Sequence, residues 1–354
     1  MTIPAGDMTL TDGRPESGLV FGKFMPPHEG HVFLINFARR SVRRLTILVC
    51  SLPDEPIPGE LRYRWMKEMF PDANVVHHAA VVPQEPREHP DFWNIWKDSI
   101  GRHCPGERFD CLFTSEDYGW KMAEMLGARH VPVNRRRDLV PVSGTAVRQE
   151  PLRHWELLPP AVRPYFAKRV CIVGPESTGK STLVRNLAER YGTVCVEEYA
   201  RSLLDEYVRA GRRQPGEVRY EDIETIARGQ AAAEDALARR ANRVMFCDTD
   251  LLTTVYWSRF YFGRCPDWIE GEAARRAYDL YLLLDVDVPW VADPQRPMPD
   301  LEKRRQYLSW WQDELRRLGR PYILISGGWG RRFEAACAAV DRLLPASVDK
   351  KAKP

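Results

Sequence analysis

The stretch RVCIVGPESTGKST, residues 169–182, decides how the second half of this sequence folds. Its first six residues form an apolar run of strand length, and residues 174–181 match the phosphate-loop pattern G-x-x-x-x-G-K-[ST]. A helix is predicted directly after the loop, at 180–191. Because strand, glycine-rich loop and helix follow in the order that such a loop requires, this half is predicted to be a nucleotide-binding α/β domain.

The residues of this loop have separate tasks in holding a nucleoside triphosphate. Glycines let backbone N–H groups turn inward around phosphate oxygens, and the helix N-terminus adds partial positive charge. Lys180 is predicted to reach the β- and γ-phosphates, and Ser181 to ligate Mg²⁺. The other loop residues predicted to bind ATP are Gly174, Glu176, Ser177, Thr178, Gly179 and Thr182.

Acidic residues follow two of the predicted strands in this half. Asp248 ends the apolar run 243–248, where a phosphate-loop enzyme holds Mg²⁺ through water, and Asp250 follows two residues later. The alternative for each is a turn or helix-capping aspartate. Glu198 follows the strand predicted at 193–197, where an acid either faces the acceptor substrate or begins a helix.

Arg296 and Arg305 lie in a basic segment after the strand predicted at 280–285. This is the position that a lid has in P-loop kinases, where the lid supplies cations to the transferring phosphoryl group and excludes water. A solvated basic loop is the alternative for each arginine. Since no Asn-Lys-x-Asp motif for reading guanine follows, these features together predict phosphorylation of a small molecule.

The first half carries a different candidate phosphate site, GKFMPPHEGH at residues 22–31. His28 and His31 are three residues apart at a predicted helix start, so both can face one side and donate hydrogen bonds to phosphate oxygens. Gly22 and Gly30 allow close approach of a nucleotide to the backbone. A metal site is less favoured, because the sequence offers no third ligand. The other alternative for this pair is that the histidines cap the helix or belong to the core.

A second segment of this half, VSGTAVR at 142–148, is typical of a capped helix start. Ser143 and Thr145 can cap the helix and leave backbone donors aimed at a phosphate. Arg148 would then lie one turn into the helix, over the same site, as a cation for ATP phosphates.

Apolar runs alternate with helix-like segments throughout, which predicts an α/β protein with two doubly wound parallel sheets. Strands are predicted at 18–24, 44–51, 74–79, 109–114 and 128–133, and again at 169–174, 193–197, 243–248, 280–285 and 321–326. Helices are predicted at 29–42, 59–70, 91–102, 117–126, 180–191, 219–241 and 301–318. The expected domains are a flexible tail at 1–17, a first domain at 18–150, a proline-rich linker or short helical connector at 151–168, a second domain at 169–345 and a tail at 346–354.

Composition narrows the class of protein. The 354 residues carry a net charge of +3, which argues against bulk nucleic-acid binding through charge alone. No apolar run has the length of a membrane span, and the first residues do not form a signal peptide. The eight cysteines form no Cys-x-x-Cys pair, which is typical of reduced thiols in a cytoplasmic protein.

The two motifs of the first half, GKFMPPHEGH and VSGTAVR, resemble the nucleotide-binding motifs of nicotinamide mononucleotide adenylyltransferases in the HxGH superfamily. An adenylyltransferase of this kind joined to a P-loop kinase resembles the bifunctional NadR family, over nearly all of residues 18–345. The resemblance implies a Rossmann-like HxGH nucleotidyltransferase followed by a P-loop kinase. It also implies NAD salvage with ATP as co-substrate and Mg²⁺ as cofactor: phosphorylation of nicotinamide riboside, then adenylyl transfer to nicotinamide mononucleotide, giving NAD and pyrophosphate.

The resemblance also implies roles for particular residues. His28, His31, Lys23 and Arg148 would contact ATP phosphates, supported by Ser143 and Thr145; the remaining ATP-binding residues implied are Phe24 and Gly144. Trp93 or Trp96 would lie near the nicotinamide, because an indole face attracts a cationic pyridinium; the alternative for each is a place in the core. In the kinase half, the residues assigned to nicotinamide are Trp290 and Tyr199.

One departure from the family concerns its N-terminus. Well-studied members carry an N-terminal helix-turn-helix that binds DNA, whereas about 17 residues precede the first strand here, too few for that domain. We therefore expect no repressor function and no nucleic-acid or membrane partner, and the sequence leaves homo-oligomerisation open. Two functional alternatives stay open: a coenzyme A pathway adenylyltransferase and kinase fusion, and a nucleotide sensor that has lost turnover.

Overall fold

Two five-stranded parallel sheets, one in each half of the chain, form the framework of the protein. The computed structural model describes residues 13–116, 119–136, 138–293 and 298–345. Contacts divide the chain into two units between Val162 and Arg163. Among the described residues, no helix has both the length and the apolar character needed to cross a membrane.

The first unit has the strand order β3-β2-β1-β4-β5. Its strands are β1 (Ser17–Gly22), β2 (Arg44–Cys50), β3 (Asn74–His78), β4 (Cys111–Thr114) and β5 (Arg129–Pro132). Its helices are α1 (Glu29–Ser41), α2 (Gly59–Met69), α3 (Phe92–His103), α4 (Gly119–Leu126) and α5 (Gly144–Gln149). Two short 3-10 turns, Pro86–Glu88 and Trp155–Leu157, complete this unit.

Helices cover both faces of the first sheet, because neighbouring residues of each strand point to opposite sides. Val20 and Ile47 pack with α1 and α2, whereas Leu19 and Leu48 pack with α3 and α4. All four side chains are buried. Strand β1 pairs with β2 along its whole length and with β4 on its other side, so its carboxyl end lies at the point where the strand order reverses.

The second unit has the strand order β10-β9-β6-β8-β7. Its strands are β6 (Lys168–Val173), β7 (Cys195–Val196), β8 (Val244–Asp248), β9 (Leu280–Leu284) and β10 (Tyr322–Ile325). Its helices are α6 (Arg163–Phe166), α7 (Lys180–Arg190), α8 (Tyr199–Arg209), α9 (Tyr220–Ala238), α10 (Leu251–Phe262), α11 (Asp267–Arg275), α12 (Leu301–Arg317) and α13 (Trp329–Asp341).

The core of the second unit also lies on both faces of its sheet. Ile172 and Leu282 pack with Leu187 of α7 and Ala336 of α13. On the opposite face, the ring of Tyr281 lies 6.4 Å from that of Trp311 in α12. The central strand β6 pairs with β8 on one side and β9 on the other, so the segment that follows Val173 leaves the middle of the sheet.

The observed architecture confirms the predicted fold class, and the predicted strands and helices agree with it to within a few residues. No bounds are predicted from the sequence for the helices α5, α6, α8, α10, α11 and α13. The segment 151–168, predicted as a linker or short helical connector, contains the turn Trp155–Leu157 and α6, and its Trp155 is buried. Residues 117–118 of the predicted helix 117–126, the tail at 346–354 and residues 1–12 of the N-terminal tail lie outside the described residues.

Candidate active sites

The phosphate loop of the second unit connects β6 to α7 at the centre of the sheet. Gly174 has a φ of 132°, and a Cβ there would lie 2.7 Å from the carbonyl oxygen of Leu284. Gly179 caps α7 with a left-handed φ of 88°. Both positions therefore need glycine, as the motif predicts.

Two side chains of the loop are hydrogen-bonded to carbonyls of the loop itself. Lys180 Nζ donates to the carbonyl oxygens of Gly174 and Pro175, each at 3.0 Å, and Thr178 Oγ1 donates to Pro175 at 2.8 Å. The ammonium group of Lys180 is thus held by carbonyls of the phosphate loop, where bound phosphates would contact it.

The loop opens into a cavity of about 380 Å³. Loop residues from Gly174 to Thr182, together with Arg185, Glu198 and Arg201, form its polar part. Its lining also includes aromatic and apolar side chains, namely Trp257, Tyr261, Tyr307, Leu204, Val218, Ile223 and Ile226. The rings of Trp257 and Tyr307 are 5.5 Å apart at 62°.

Trp257 and Tyr307 were not predicted as site residues. They come from α10 and α12, which are about fifty positions apart in sequence, and α10 shows no polar face that would have predicted its side chains' directions. In this half the aromatic contact is assigned from the sequence to Trp290 instead, by analogy with the tryptophans of the first half.

Two acids lie close to the phosphate loop. Asp248 is 2% exposed at the end of β8, interacts with Ser181, and has no hydrogen-bond partner at Oδ1. Burial raises its pKa. Burial, and then the charge of Asp248, raise the pKa of Glu198 to about 7, whereas Lys180 and Arg201 oppose that shift. The structure thus brings Lys180, Ser181, Asp248 and Glu198 together.

Asp250 has the geometry of the capping alternative. It caps α10 by accepting from Thr253 N at 3.2 Å, and Tyr281 donates to its second oxygen at 2.8 Å. It does not line the cavity in the described part of the chain. Burial raises its pKa to about 6, and both carboxylate oxygens are occupied within the fold.

Two of the remaining residues predicted for the kinase half, Tyr199 and Trp290, are not among the residues that line the described cavity. Tyr199 donates its backbone N–H to Gln230 and its ring covers Gly229, so it does not line the cavity as described. Trp290 is half-buried, and the next residue, Val291, donates its backbone N–H to Ser177 Oγ at 2.7 Å. Glu176 accepts from Met298 N at 3.1 Å.

Of the two arginines predicted for a lid, the structure describes only Arg305. Arg296 lies outside the described residues. Arg305 is exposed on α12, 3.9 Å from Glu302, and is not part of the described cavity wall. Its neighbour Arg304 is buried near Glu176 instead, because Arg304 shares the buried stripe of α12 with Tyr307 and Trp311.

In the first unit, the two histidines form a capping box at the start of α1. His28 Nδ1 accepts from Gly30 N at 3.1 Å, and His31 Nδ1 accepts from His28 N at 3.3 Å. The rings are stacked with centroids 3.7 Å apart. Because each Nδ1 is an acceptor, each neutral ring carries its proton on Nε2, the donor that a phosphate oxygen needs.

The neighbours of these histidines are ordered by packing and by ion pairs. Phe24 adopts a left-handed φ of 46°, and its ring lies edge-on to His31. Lys23 Nζ lies 3.0 Å from Glu55, which also pairs with the buried Arg62. Glu55 and Arg62 were not predicted, and no motif in the sequence singled them out. A Cβ on Gly22 would only contact the Phe24 ring at ordinary distances.

The structure brings the second motif of this half against the first. Ser143 caps α5 by accepting from Ala146 N at 3.2 Å, and Gly144 approaches the Met25 carbonyl oxygen closely. Arg148 donates to that same oxygen at 2.7 Å and lies 3.5 Å from Thr145 Oγ1. The cation and the capped helix start therefore lie beside GKFMPPHEGH.

The two tryptophans predicted near the nicotinamide differ in burial. Trp96 is buried, donates from Nε1 to Pro83 at 2.8 Å, and stacks on His78 at 5.4 Å. Trp93 is half-buried on the same helix, with its ring edge-on to Phe92. Of the pair, Trp93 is the less buried. No group of three or more metal-binding side chains occurs among the described residues.

Comparison with known proteins finds a matching family model and similar proteins. Residues 169–332 match the AAA domain family. The chain is 31% identical over 306 residues to the trifunctional NAD biosynthesis/regulator protein NadR of Escherichia coli, covering 82% of this chain and 74% of that protein. The same values hold for NadR of Salmonella typhimurium.

Two solved structures share the fold across nearly the whole chain. A NadR protein in complex with NR has a TM-score of 0.77 at 22% identity, covering 96% of this chain and 99% of that one. A NadR protein in complex with NAD and AMP-PNP has a TM-score of 0.74 at the same identity and coverage.

Proposed function

Because the chain belongs to the NadR family, we propose that it makes NAD from nicotinamide riboside in two ATP-dependent steps. The second unit phosphorylates the riboside, and the first unit joins the resulting mononucleotide to an adenylyl group. The names of the curated relatives refer to NAD biosynthesis, and the solved neighbours hold NR, NAD and AMP-PNP, which supports these substrates.

One observation supports the first step above all others: the phosphate loop opens into a cavity whose lining includes an acid, Glu198, and the aromatic rings of Trp257, Tyr261 and Tyr307. A phosphoryl acceptor with a flat cationic ring fits such a cavity. Its ring would lie against Trp257 and Tyr307, because aromatic faces attract a pyridinium. Its 5′-hydroxyl would then point toward Glu198 and Lys180.

In the phosphoryl transfer, the 5′-hydroxyl oxygen of the riboside forms a bond to the γ-phosphorus, and the bond to the β-phosphate oxygen breaks, releasing ADP. Glu198 takes the hydroxyl proton, since a pKa of about 7 is suited to a general base at neutral pH. Lys180 leaves the loop carbonyls to neutralise charge on the phosphates.

Ser181 and Asp248 fit a Mg²⁺ ion. The unpartnered Oδ1 of Asp248 is a buried carboxylate oxygen beside the Ser181 hydroxyl, and oxygen donors of this kind are what Mg²⁺ prefers. The ion would neutralise negative charge on the bound phosphates.

In the adenylyl transfer, a 5′-phosphate oxygen of nicotinamide mononucleotide attacks the α-phosphorus of ATP, and pyrophosphate leaves. The nucleophile is already anionic, so orientation and charge stabilisation dominate. His28 and His31 would donate from Nε2 to phosphate oxygens, with Lys23 and Arg148 as cations. Trp93 is our candidate for the nicotinamide contact, because Trp96 is committed to the core.

An acceptor panel tests the proposal. Purified protein is given Mg-ATP with nicotinamide riboside, nicotinamide mononucleotide, phosphopantetheine or dephospho-coenzyme A, and products are identified by mass spectrometry. We expect nicotinamide mononucleotide and NAD from the two pyridine acceptors and no product from the other two. Products from the pantetheine acceptors alone would favour the coenzyme A alternative, and binding without any product would favour a sensor.

A further inference from the structure

Trp329, the first residue of α13, is a large aromatic side chain that is 59% exposed beside the phosphate loop. Its ring lies against Gly179, and a Cβ built on that glycine would overlap the indole. Trp329 is not among the residues that line the described acceptor cavity. The ring therefore borders the loop at Gly179 without itself lining that cavity.

A buried arginine fixes the position of this ring. Arg332 is 2% exposed, and its guanidinium donates to the carbonyl oxygens of Thr178 at 3.0 Å, Gly327 at 2.7 Å and Asp285 at 2.9 Å. Thr178 belongs to the phosphate loop and Gly327 to the turn before α13. Arg332 thus joins the loop to the turn that presents Trp329.

An indole in this position has one physical use that the rest of the loop does not provide. The loop binds phosphates through N–H groups and Lys180, and these contacts are the same for any triphosphate. A nucleobase is flat, and stacking of a base on an aromatic ring contributes about 1–3 kcal/mol in other proteins. A ring in contact with Gly179 is within reach of a base whose phosphates lie in the loop.

We propose, resting on the assignment of the phosphate loop as a nucleoside triphosphate site, that Trp329 stacks on the base of the bound nucleotide and adds a base-dependent part to its affinity. Arg332 is the positioning residue for that contact. The base then lies against a residue that is not part of the described cavity lining.

The test compares binding of Mg-ATP with binding of inorganic Mg-tripolyphosphate, which has the phosphates but no base. Isothermal titration of the full chain without acceptor measures both, and the component that Lys180→Ala removes is assigned to the phosphate loop. We expect Trp329→Ala to weaken ATP at this component about tenfold, within the range for base stacking, and to leave tripolyphosphate unchanged. GTP should be weakened similarly, and CTP less.

Trp120→Ala is the matched control, because Trp120 is 58% exposed on α4 of the other unit. Trp329→Phe should keep most of the ATP affinity, whereas Trp329→Leu should lose it; this pair decides the matter if the alanine variant does not fold. Equal weakening of ATP and tripolyphosphate, or unchanged ATP affinity, would overturn the stacking role while leaving the kinase assignment intact. If Lys180→Ala removes no component, the kinase assignment itself fails, and the inference with it.

Discussion

The ammonium group of Lys180 lies 3.0 Å from the carbonyl oxygen of Gly174, the first residue of the same phosphate loop. A second carbonyl, of Pro175, is equally close. Two neutral carbonyls are weak partners for a full positive charge, and phosphate oxygens would replace them with charge-assisted bonds. The loop therefore keeps its cation positioned over the place where phosphates would bind.

Lys180→Ala should reduce phosphorylation of nicotinamide riboside at least about a hundredfold, because it removes a cation from the transferring phosphoryl group. Adenylyl transfer to supplied nicotinamide mononucleotide should stay near the wild-type rate. Both rates are measured on the same preparation. Lys168→Ala is the control, since Lys168 pairs with Asp279 at the start of β6. Loss of both activities in a folded Lys180→Ala variant would contradict independent sites.

The pH dependence of the kinase half follows from Glu198. Its pKa of about 7 means that Glu198 is protonated below this pH and cannot accept a proton from the acceptor. We expect kcat/KM for the riboside to fall about tenfold per pH unit below 7 and to level off above it. Glu198→Gln should lower the rate about a hundredfold and abolish this acid limb.

Glu197→Gln provides the control for that experiment, because Glu197 is the exposed neighbour that pairs with Arg185. It should keep the wild-type profile. An unchanged acid limb in Glu198→Gln would assign the limb to another group and remove Glu198 as the base.

Asp250 is predicted to contribute to stability and not to catalysis. Asp250→Ala removes the cap of α10 and leaves the buried Tyr281 hydroxyl without its acceptor, so the free energy of unfolding should fall by about 2–3 kcal/mol. Denaturant unfolding measures this loss. Asp300→Ala removes the more exposed cap of α12 and should cost about 1 kcal/mol. A folded Asp250→Ala protein with a greatly reduced kcat would show that Asp250 acts in the reaction.

His31→Ala should lower adenylyl transfer about a hundredfold, because it removes an Nε2 donor to the developing phosphate charge. Phosphorylation of the riboside should be unaffected, and nicotinamide mononucleotide should accumulate in its place. His154→Ala, a histidine before the turn Trp155–Leu157, serves as control. Normal adenylyl transfer in His31→Ala would remove this histidine from the site.

The sequence predicted those parts of the site that a single local pattern defines. The loop 174–181 contains its own glycines, lysine and serine, and its flanking strand and helix have clear periodicity. The capping aspartate illustrates the limit. Asp248 and Asp250 follow the same strand, but the left-handed φ of 67° at Thr249 turns the chain, so that Asp250 meets Tyr281. That turn is not visible in the sequence.

For two helices, α3 and α12, the periodicity of the sequence could have predicted which residues are buried. On α3, the buried residues Phe92, Trp96 and Ile100 repeat every four positions, which marks Trp96 as a core residue and leaves Trp93 off the stripe. On α12, Arg304 shares a stripe with Tyr307 and Trp311, whereas Arg305 does not. No periodicity predicts the aromatic side chains of the cavity, because Trp257 and Tyr307 meet only through packing of α10 against α12.

The central claim, that one chain uses two triphosphates to convert a pyridine riboside to NAD, is tested most directly by product stoichiometry. The wild-type protein is incubated with nicotinamide riboside and a measured excess of Mg-ATP, and NAD, ADP and pyrophosphate are quantified by mass spectrometry. We predict that one ADP and one pyrophosphate are released for each NAD formed, with nicotinamide mononucleotide as the intermediate. Formation of NAD only when the mononucleotide is supplied, or accumulation of the mononucleotide without NAD, would contradict the account.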